Sequence, residues 1–400
     1  KPIAPAIVWQ SRQSESYCST LRKAGKEEWI RAKTGLQLDP YFSASKIRFL
    51  LDHAQAQSRA ENGELCFGTI DSWLVWKLSH GRAHVSDVSN ASRTMLMNLQ
   101  TLDYDEELLA LWNIPRCMMP KICDSSGVLA MSDLLGAPIP IAALAGDQQA
   151  ALFGQACFTP GTIKCTYGTG CFMLMNTGEK PIYSSNGLLT TVAWRLNKKM
   201  TFALDGGIYI TGAATQWLRD GIKIIDSAAQ TEQMAYDAKS NGGVYFVPAF
   251  AGLAAPHWDS YARGTMVGIT GGTTREHIVR ATLESTAYQV KDNLDVMNMD
   301  ASMPISILRT DGGAVANNFL MQFQADITGA QVIRPLVRET TALGAQLAAL
   351  GIGEFDSIED LASHWKLAKR YEPKMSVDER ESLLYNWHRA VERAKNWSEE

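Results

Sequence analysis

The chain has 400 residues, of which 46% are hydrophobic and 20% charged, with a net charge of −4. That length suits two or three packed domains, and a slightly acidic balance gives no footing for broad nucleic-acid binding. No run of about 18 apolar residues is present, so no membrane span is expected. The opening Lys1-Pro-Ile-Ala-Pro-Ala-Ile-Val-Trp9 lacks the long apolar core of a secretion signal. The seven cysteines are scattered without a C-x-x-C pair, which fits reduced thiols in a cytoplasmic enzyme. His80 and His84 have the spacing of a zinc helix, but Gly81-Arg82 between them reads as a turn.

Residues 6–10 form a short apolar run that predicts a strand with Trp9 and Gln10 at its end. Residues 14–34 are mostly polar with spaced Leu21, Trp29 and Ile30, which predicts one or two surface helices closed by Gly35. A turn through Asp39-Pro40 leads into a helix over 46–52 with Tyr41 at its mouth. Residues 64–77 predict a strand passing into a helix capped at Thr69 or Asp71. Residues 87–94 are rich in side chains that hydrogen-bond their own backbone and predict a compact loop, which a functional reading places under an active site.

The stretch 139–172 organises the rest. An apolar run from Ile139 predicts a buried strand; it stops at Gly146-Asp147-Gln148-Gln149, after which small apolar residues resume at helical spacing. Asp147 therefore sits where a strand ends and a helix begins, the edge at which open α/β sheets bind ligands and where a helix N-terminus favours negative charge. Thr166-Tyr-Gly168-Thr169-Gly170-Cys-Phe172 follows as a hydroxyl-bearing glycine turn, able to bring backbone N–H groups close to an anion. An acid to take a proton from a hydroxyl, beside a loop that holds phosphates, suggests phosphoryl transfer. Either piece alone is equally a plain helix cap or a plain turn.

Downstream, strands are predicted at 162–167, 172–175, 189–195 and 200–204, the last two joined as a hairpin through Asn197-Lys198. A helix is expected over 212–219, a buried run at 244–248, and a capping box at Thr273-Thr-Arg-Glu276 opening a long helix. A strand at 305–308 leads to Asp311-Gly312-Gly313 and a helix over 319–328, repeating the junction seen at Asp147. Two such junctions suggest two related α/β domains with a cleft between them. Residues 331–334 read as a strand and 340–350 as one alanine-rich helix; Ser376-Val-Asp-Glu379 is a second capping box before a terminal amphipathic helix.

Taken together, Gly146-Asp147-Gln148-Gln149-Ala-Ala151, Thr166 to Phe172, Asp311-Gly-Gly-Ala-Val-Ala-Asn317-Asn318, and Gly264-x-Met-x-Gly268 with His277-Ile-x-x-Ala-Thr-Leu-Glu284 resemble the FGGY carbohydrate kinases. Ile7-Val-Trp9-Gln10, Asp39-Pro-Tyr41-Phe-Ser43, Asn90-Ala-Ser-Arg-Thr94 and Pro256-x-Trp-Asp-x-Tyr-Ala-Arg-Gly264 look like the branch of that family that phosphorylates glycerol. The resemblance runs from Lys1 to about Trp397. It implies an α/β, two-domain actin-like (RNase H-like) ATPase fold with ATP in the cleft. It divides the chain at 1–155, on the glycerol side, and 156–400, on the adenine-nucleotide side. It implies transfer of the ATP γ-phosphate to glycerol with Mg2+. Asp147 is the implied general base, and Trp9, Tyr41, Asp147, Gln148 and Phe172 the implied glycerol pocket. Thr169 matches the phosphate-contacting loop, and Gly212, Gln216, Gly313 and Asn317 match positions lining the adenosine. No protein ligand to the metal is assigned. A cytoplasmic homo-oligomer, dimer or tetramer, is implied.

The resemblance also implies a phosphate loop and an Arg-Glu pair ahead of Lys1, and a chain without them is expected to be a poor kinase. Phe49 stands where the family usually has Trp, and Met131 to Pro138 carries no Arg or Lys with which to bind a bisphosphate effector. Two alternatives stay open: a kinase for another polyol or ketose, and a non-catalytic nucleotide-binding remnant.

Overall fold

The computed structural model describes residues 1–398. In its first part, apolar residues recurring three or four apart give helices Glu15–Lys23, Glu27–Thr34, Ser43–His53, Gln57–Glu61 and Ile70–Leu78. Their inner faces enclose a core of Cys18, Ile30, Leu36, Phe42, Ile47, Leu51 and Trp112. Gly35 ends the second helix at φ 72°, and its N–H donates to the Arg31 carbonyl at 2.8 Å. A side chain there would meet the backbone at Thr190, so the left-handed cap and the close approach both require glycine.

Two local expectations fail here for want of a pairing partner, and a third holds only in part. Residues 6–10 are not a strand: no ladder reaches them, and Val8 and Trp9 are 60% and 45% exposed. Residues 64–68 are unladdered, tied by Phe67 N–H to the Met118 carbonyl at 2.7 Å. Ile139–Ala143 is a strand, but it pairs only with Ser126–Ser132 and is half-buried rather than enclosed. Residues 87–94 are tighter than a loop. Asp87 caps the helical turn Val88–Ala91 by accepting from the N–H groups of Ser89 and Asn90, both at 3.0 Å.

The helix after the organising junction, α1 (Asp147–Gly154), lies on a seven-stranded mixed sheet. Its strands are β1 (Ile163–Tyr167), β2 (Cys171–Gly178), β3 (Leu189–Leu196), β4 (Lys199–Ile208), β5 (Ile307–Asp311), β6 (Gln331–Pro335) and β7 (Leu367–Tyr371). Their order is β7-β6-β5-β1-β2-β4-β3, parallel at β6-β5-β1 and antiparallel elsewhere. Asn197 and Lys198 join β3 to β4 with φ of 49° and 67°, as a two-residue turn matching strand twist requires.

Helix α2 (Gly212–Gln216) is shorter than expected; a wider turn, Trp217–Gly221, continues it, with Ile222 N–H on the Trp217 carbonyl at 3.0 Å. The long helix α3 (Arg275–Ala301) is capped one residue later than the sequence suggests. His277 Nδ1 accepts from the Thr274 N–H at 3.1 Å, while Glu276 turns to Arg275 at 2.7 Å. Helix α4 (Asn318–Thr328) follows β5. The predicted helix over 340–350 is split into Thr340–Leu343 and Gln346–Gly351, because Gly344 lies directly against Ala150 of α1. The last helix, α5 (Val377–Ala394), starts as expected, with Ser376 Oγ accepting from Glu379 N–H at 3.2 Å.

Candidate active site

Asp147 is the first residue of α1, with its carboxylate exposed. It accepts from the Gln148 N–H at 2.8 Å and from Gln148 Nε2 at 3.3 Å. The backbone before it is fixed from below. Gly146 N–H donates to Ser89 Oγ at 2.9 Å, and Ser89 Oγ donates to Asp87 Oδ1 at 2.9 Å. Ser125 Oγ adds a bond to Asp87 Oδ2 at 2.6 Å. Burial pushes the Asp87 carboxyl up, against the donors of Ser125, Ser89 and Asn90 that hold it down. Asp87 is thus a buried anchor, and the 87–94 stretch braces the backbone just before Asp147.

Beside Asp147, three rings meet edge to face. Trp9 is 5.5 Å from Tyr41 and 6.3 Å from Phe172, centre to centre. Trp9 thus joins this wall from a turn, closed by Ser11 N–H on the Val8 carbonyl at 3.1 Å, not from the end of a strand. Arg93 supports the wall, its guanidinium 5.8 Å from the Tyr41 ring centre and 5.3 Å from that of Phe42. Arg93 pairs in turn with the buried Asp205 at 2.8 Å. Burial raises the Tyr41 phenol, opposed by the Arg93 charge, so the hydroxyl is a neutral donor and acceptor.

On the other side, Gly168-Thr169-Gly170 turns between β1 and β2, with Gly168 and Thr169 exposed and Gly170 buried. The start of α2 is bound onto it: Thr211 N–H and Ala213 N–H donate to the Thr169 carbonyl, both at 3.0 Å, and Gly212 N–H to the Gly168 carbonyl at 3.1 Å. A side chain at Gly212 would collide with the Gly168 carbonyl oxygen. Gln216 lies exposed at the end of the same helix. Gly312, at φ 88°, packs on the Tyr167 backbone and sets exposed Gly313 beside the end of β1. Thr169, Gly212, Gln216 and Gly313 therefore gather where β1, β4 and β5 end. Asn317 is occupied differently. Its Oδ1 accepts from Leu320 N–H at 2.9 Å, capping α4, and its Nδ2 donates to Thr231 Oγ1 at 3.1 Å.

Four participants escape sequence reasoning: Asp87 as an anchor, the Arg93–Asp205 pair, and Lys164. Lys164 left a signal, a cation inside the apolar strand run Ile163 to Tyr167, and Asp87 and Arg93 fall within the 87–94 stretch, whose composition marks it but not their partners. Of the histidines considered for zinc, His80 pairs with Asp133 at 2.8 Å and His84 Nε2 meets the Phe67 carbonyl at 2.6 Å.

The N-terminal domain model of the FGGY family of carbohydrate kinases matches residues 1–154, and the C-terminal domain model matches 163–351. The chain is 57% identical to glycerol kinase 2 of Thermotoga maritima over 99% of its own length and 81% of that relative. It is 56% identical to glycerol kinase of Petrotoga mobilis, over 100% of this chain and 81% of that one. A solved structure of Plasmodium falciparum glycerol kinase with ADP superposes with a TM-score of 0.93 at 36% identity, covering 98% of this chain and 80% of that one. A xylulose kinase from Lactobacillus acidophilus, at 21% identity and a TM-score of 0.84 over 97% of this chain and 78% of its own, shares the fold. With the two-domain α/β kinase fold, the acid at a helix start and the glycine turn all in place, the chain belongs to the FGGY family of carbohydrate kinases.

Proposed function

We infer that this chain catalyses ATP-dependent phosphorylation of glycerol to sn-glycerol 3-phosphate. The observation that carries the reading is the placement of Asp147 near the wall of Trp9, Tyr41 and Phe172, where its charge acts on the Tyr41 phenol and Lys164 ties Gln148 to the Phe172 carbonyl. A three-carbon polyol needs a small apolar face and several polar ends, which these rings with Asp147 and Gln148 supply. The relatives named above are glycerol kinases, and one was solved with ADP. In this reading Asp147 accepts the proton of the attacking hydroxyl. The freed oxygen bonds to the γ-phosphorus as the bond to the β,γ-bridging oxygen breaks, and ADP leaves. Backbone N–H groups around Thr169 hold phosphates, Gly212, Gln216 and Gly313 line the adenosine, and Asn317 borders it while its side chain caps α4.

Mg2+ neutralises phosphate charge when bound. Among the described residues no group of three or more acids, histidines or cysteines is placed to cage it. We expect a hydrated ion carried in on the nucleotide, which the exposed carboxylate of Asp147 would face. We assign residues 1–155 to the glycerol side and 156–400 to the nucleotide side, and expect a cytoplasmic homo-oligomer. Among the described residues no helix is long and apolar enough to cross a membrane.

Two measurements check this reading. Ranked by kcat/KM, glycerol should exceed xylulose and gluconate, because Trp9 and Phe172 close the pocket to a longer chain; a higher value for a five- or six-carbon substrate would assign the protein to another branch of the family. Gly212→Ala should part α2 from the Gly168 carbonyl and weaken ADP binding by roughly 10-fold, the scale of a forced overpacking. Gly271→Ala, with nothing near its added methyl, should leave it unchanged. Calorimetric titration with ADP reads both, and equal affinities would remove the turn–helix contact from the nucleotide site.

A further inference from the structure

A lysine in the middle of a central strand is costly unless its charge does something there. Lys164 is 0% exposed, in β1 between β5 and β2. Its ammonium has three donors and spends all of them on uncharged oxygens. They are Gln148 Oε1, Thr166 Oγ1 at 3.0 Å and the Phe172 carbonyl at 3.2 Å. These acceptors belong to three different parts of the site: the residue after Asp147, the approach to the glycine turn, and the aromatic wall. No stability argument calls for a cation at this junction, since an apolar side chain of the same volume would fill the sheet without desolvating a charge.

The bond to Gln148 has a chemical consequence. Lysine can only donate, so it captures the carboxamide oxygen and settles which way the amide faces. The Nε2 end is then turned to Asp147 Oδ2, at 3.3 Å. The pocket consequently offers an N–H donor beside a carboxylate acceptor. Two neighbouring hydroxyls of one polyol match that pair, one oxygen accepting from Gln148 while one O–H donates to Asp147. With the amide reversed, a carbonyl oxygen would face the carboxylate and repel both it and the hydroxyl oxygen.

We propose that Lys164 is a positioning residue of the phosphoryl-transfer site, fixing the Gln148 carboxamide with its donors toward Asp147 and the acceptor hydroxyls. The proposal rests on the polyol-kinase reading above. Lys164→Met keeps the length and removes the donors. It should lower kcat/KM for glycerol by roughly 10–100-fold, the scale on which misplaced groups act, while the ADP dissociation constant stays within about twofold. Combined with Gln148→Leu it should cost nothing further, because it acts through that amide; losses that multiply in the double variant would overturn the proposal. A second measurement needs no turnover. In protein labelled with 15N-glutamine, the Gln148 side-chain NH2 resonance should shift in Lys164→Met. Lys164→Gln, which retains a donor, should restore part of the parent shift and serves if the Met variant does not fold. An unmoved resonance in these variants would refute the proposal whatever the substrate, whereas a parent that leaves glycerol unphosphorylated while the resonance moves would refute only the functional reading.

Discussion

Asp147→Asn should lower kcat for glycerol phosphorylation by roughly 10²–10⁴-fold, measured in the gene product carrying this chain. The substitution is close to a test of proton acceptance alone. Asparagine keeps a carbonyl oxygen for the Gln148 N–H, and the exposed side chain finds its hydrogen-bond partners on the next residue, so neither the helix start nor the core should notice. Glycerol binding should change much less than kcat, because the rings of Trp9, Tyr41 and Phe172 remain. Phosphoryl transfer relies mostly on positioning and charge neutralisation, so activity should fall without vanishing. A kcat near that of the parent would take Asp147 out of the mechanism.

The second large effect is on stability. Asp292 in α3 is a buried carboxylate reached by Trp387 Nε1 at 2.8 Å and His388 Nε2 at 3.0 Å, both from α5, with His257 Nε2 at 3.5 Å. It fastens the terminal helix to the core. Burial works to raise its pKa, but the bonds from His257, His388 and Trp387 outweigh burial and hold the carboxyl below its ordinary value. The Asp292 bond raises the His388 imidazole, against burial. Asp292→Ala leaves the Trp387 N–H buried without its acceptor, so unfolding should become easier by about 3 kcal/mol, the low end for a broken buried pair because His388 is open to solvent.

The pH dependence follows from the two signs. A depressed carboxylate contributes above its unfolded value and loses that contribution as pH falls through the folded value. A raised imidazole contributes fully below its unfolded value, near 6.5, and loses that contribution as pH rises through the folded one. The clamp is strongest between the carboxylate range and about pH 6 and weakens on going alkaline, and Asp292→Ala should flatten that part of the profile. Urea midpoints across pH decide it; a variant within 1 kcal/mol of the parent at pH 6 would show that α5 is held by packing alone.

What could be read ahead of the structure was whatever local chemistry decides. The Asn197-Lys198 hairpin, the cap at Ser376 and the start of a helix at Asp147 depend on residues adjacent in the chain, and each formed where expected. The misses depend on distant partners. Residues 6–10 have the composition of a strand but no strand to pair with, and the 340–350 helix breaks because α1 presses Ala150 against Gly344. The capping box moved one residue because Glu276 found Arg275 instead. At the site, motifs identify the acid, the rings and the glycine turn. Motifs do not reveal that Asp87, Arg93 and Asp205 brace Asp147 and the wall from beneath. Those are contacts between segments tens to more than a hundred residues apart, set by the fold.

The central claim is that one site joins a proton-accepting acid, a polyol pocket and a phosphate turn. Phosphorus NMR of the protein with ATP, Mg2+ and glycerol tests it most directly. The account predicts that the γ-phosphate signal is replaced by sn-glycerol 3-phosphate in step with ADP, that both depend on glycerol, and that Asp147→Asn suppresses both together. ADP appearing with inorganic phosphate at a rate indifferent to glycerol would contradict it.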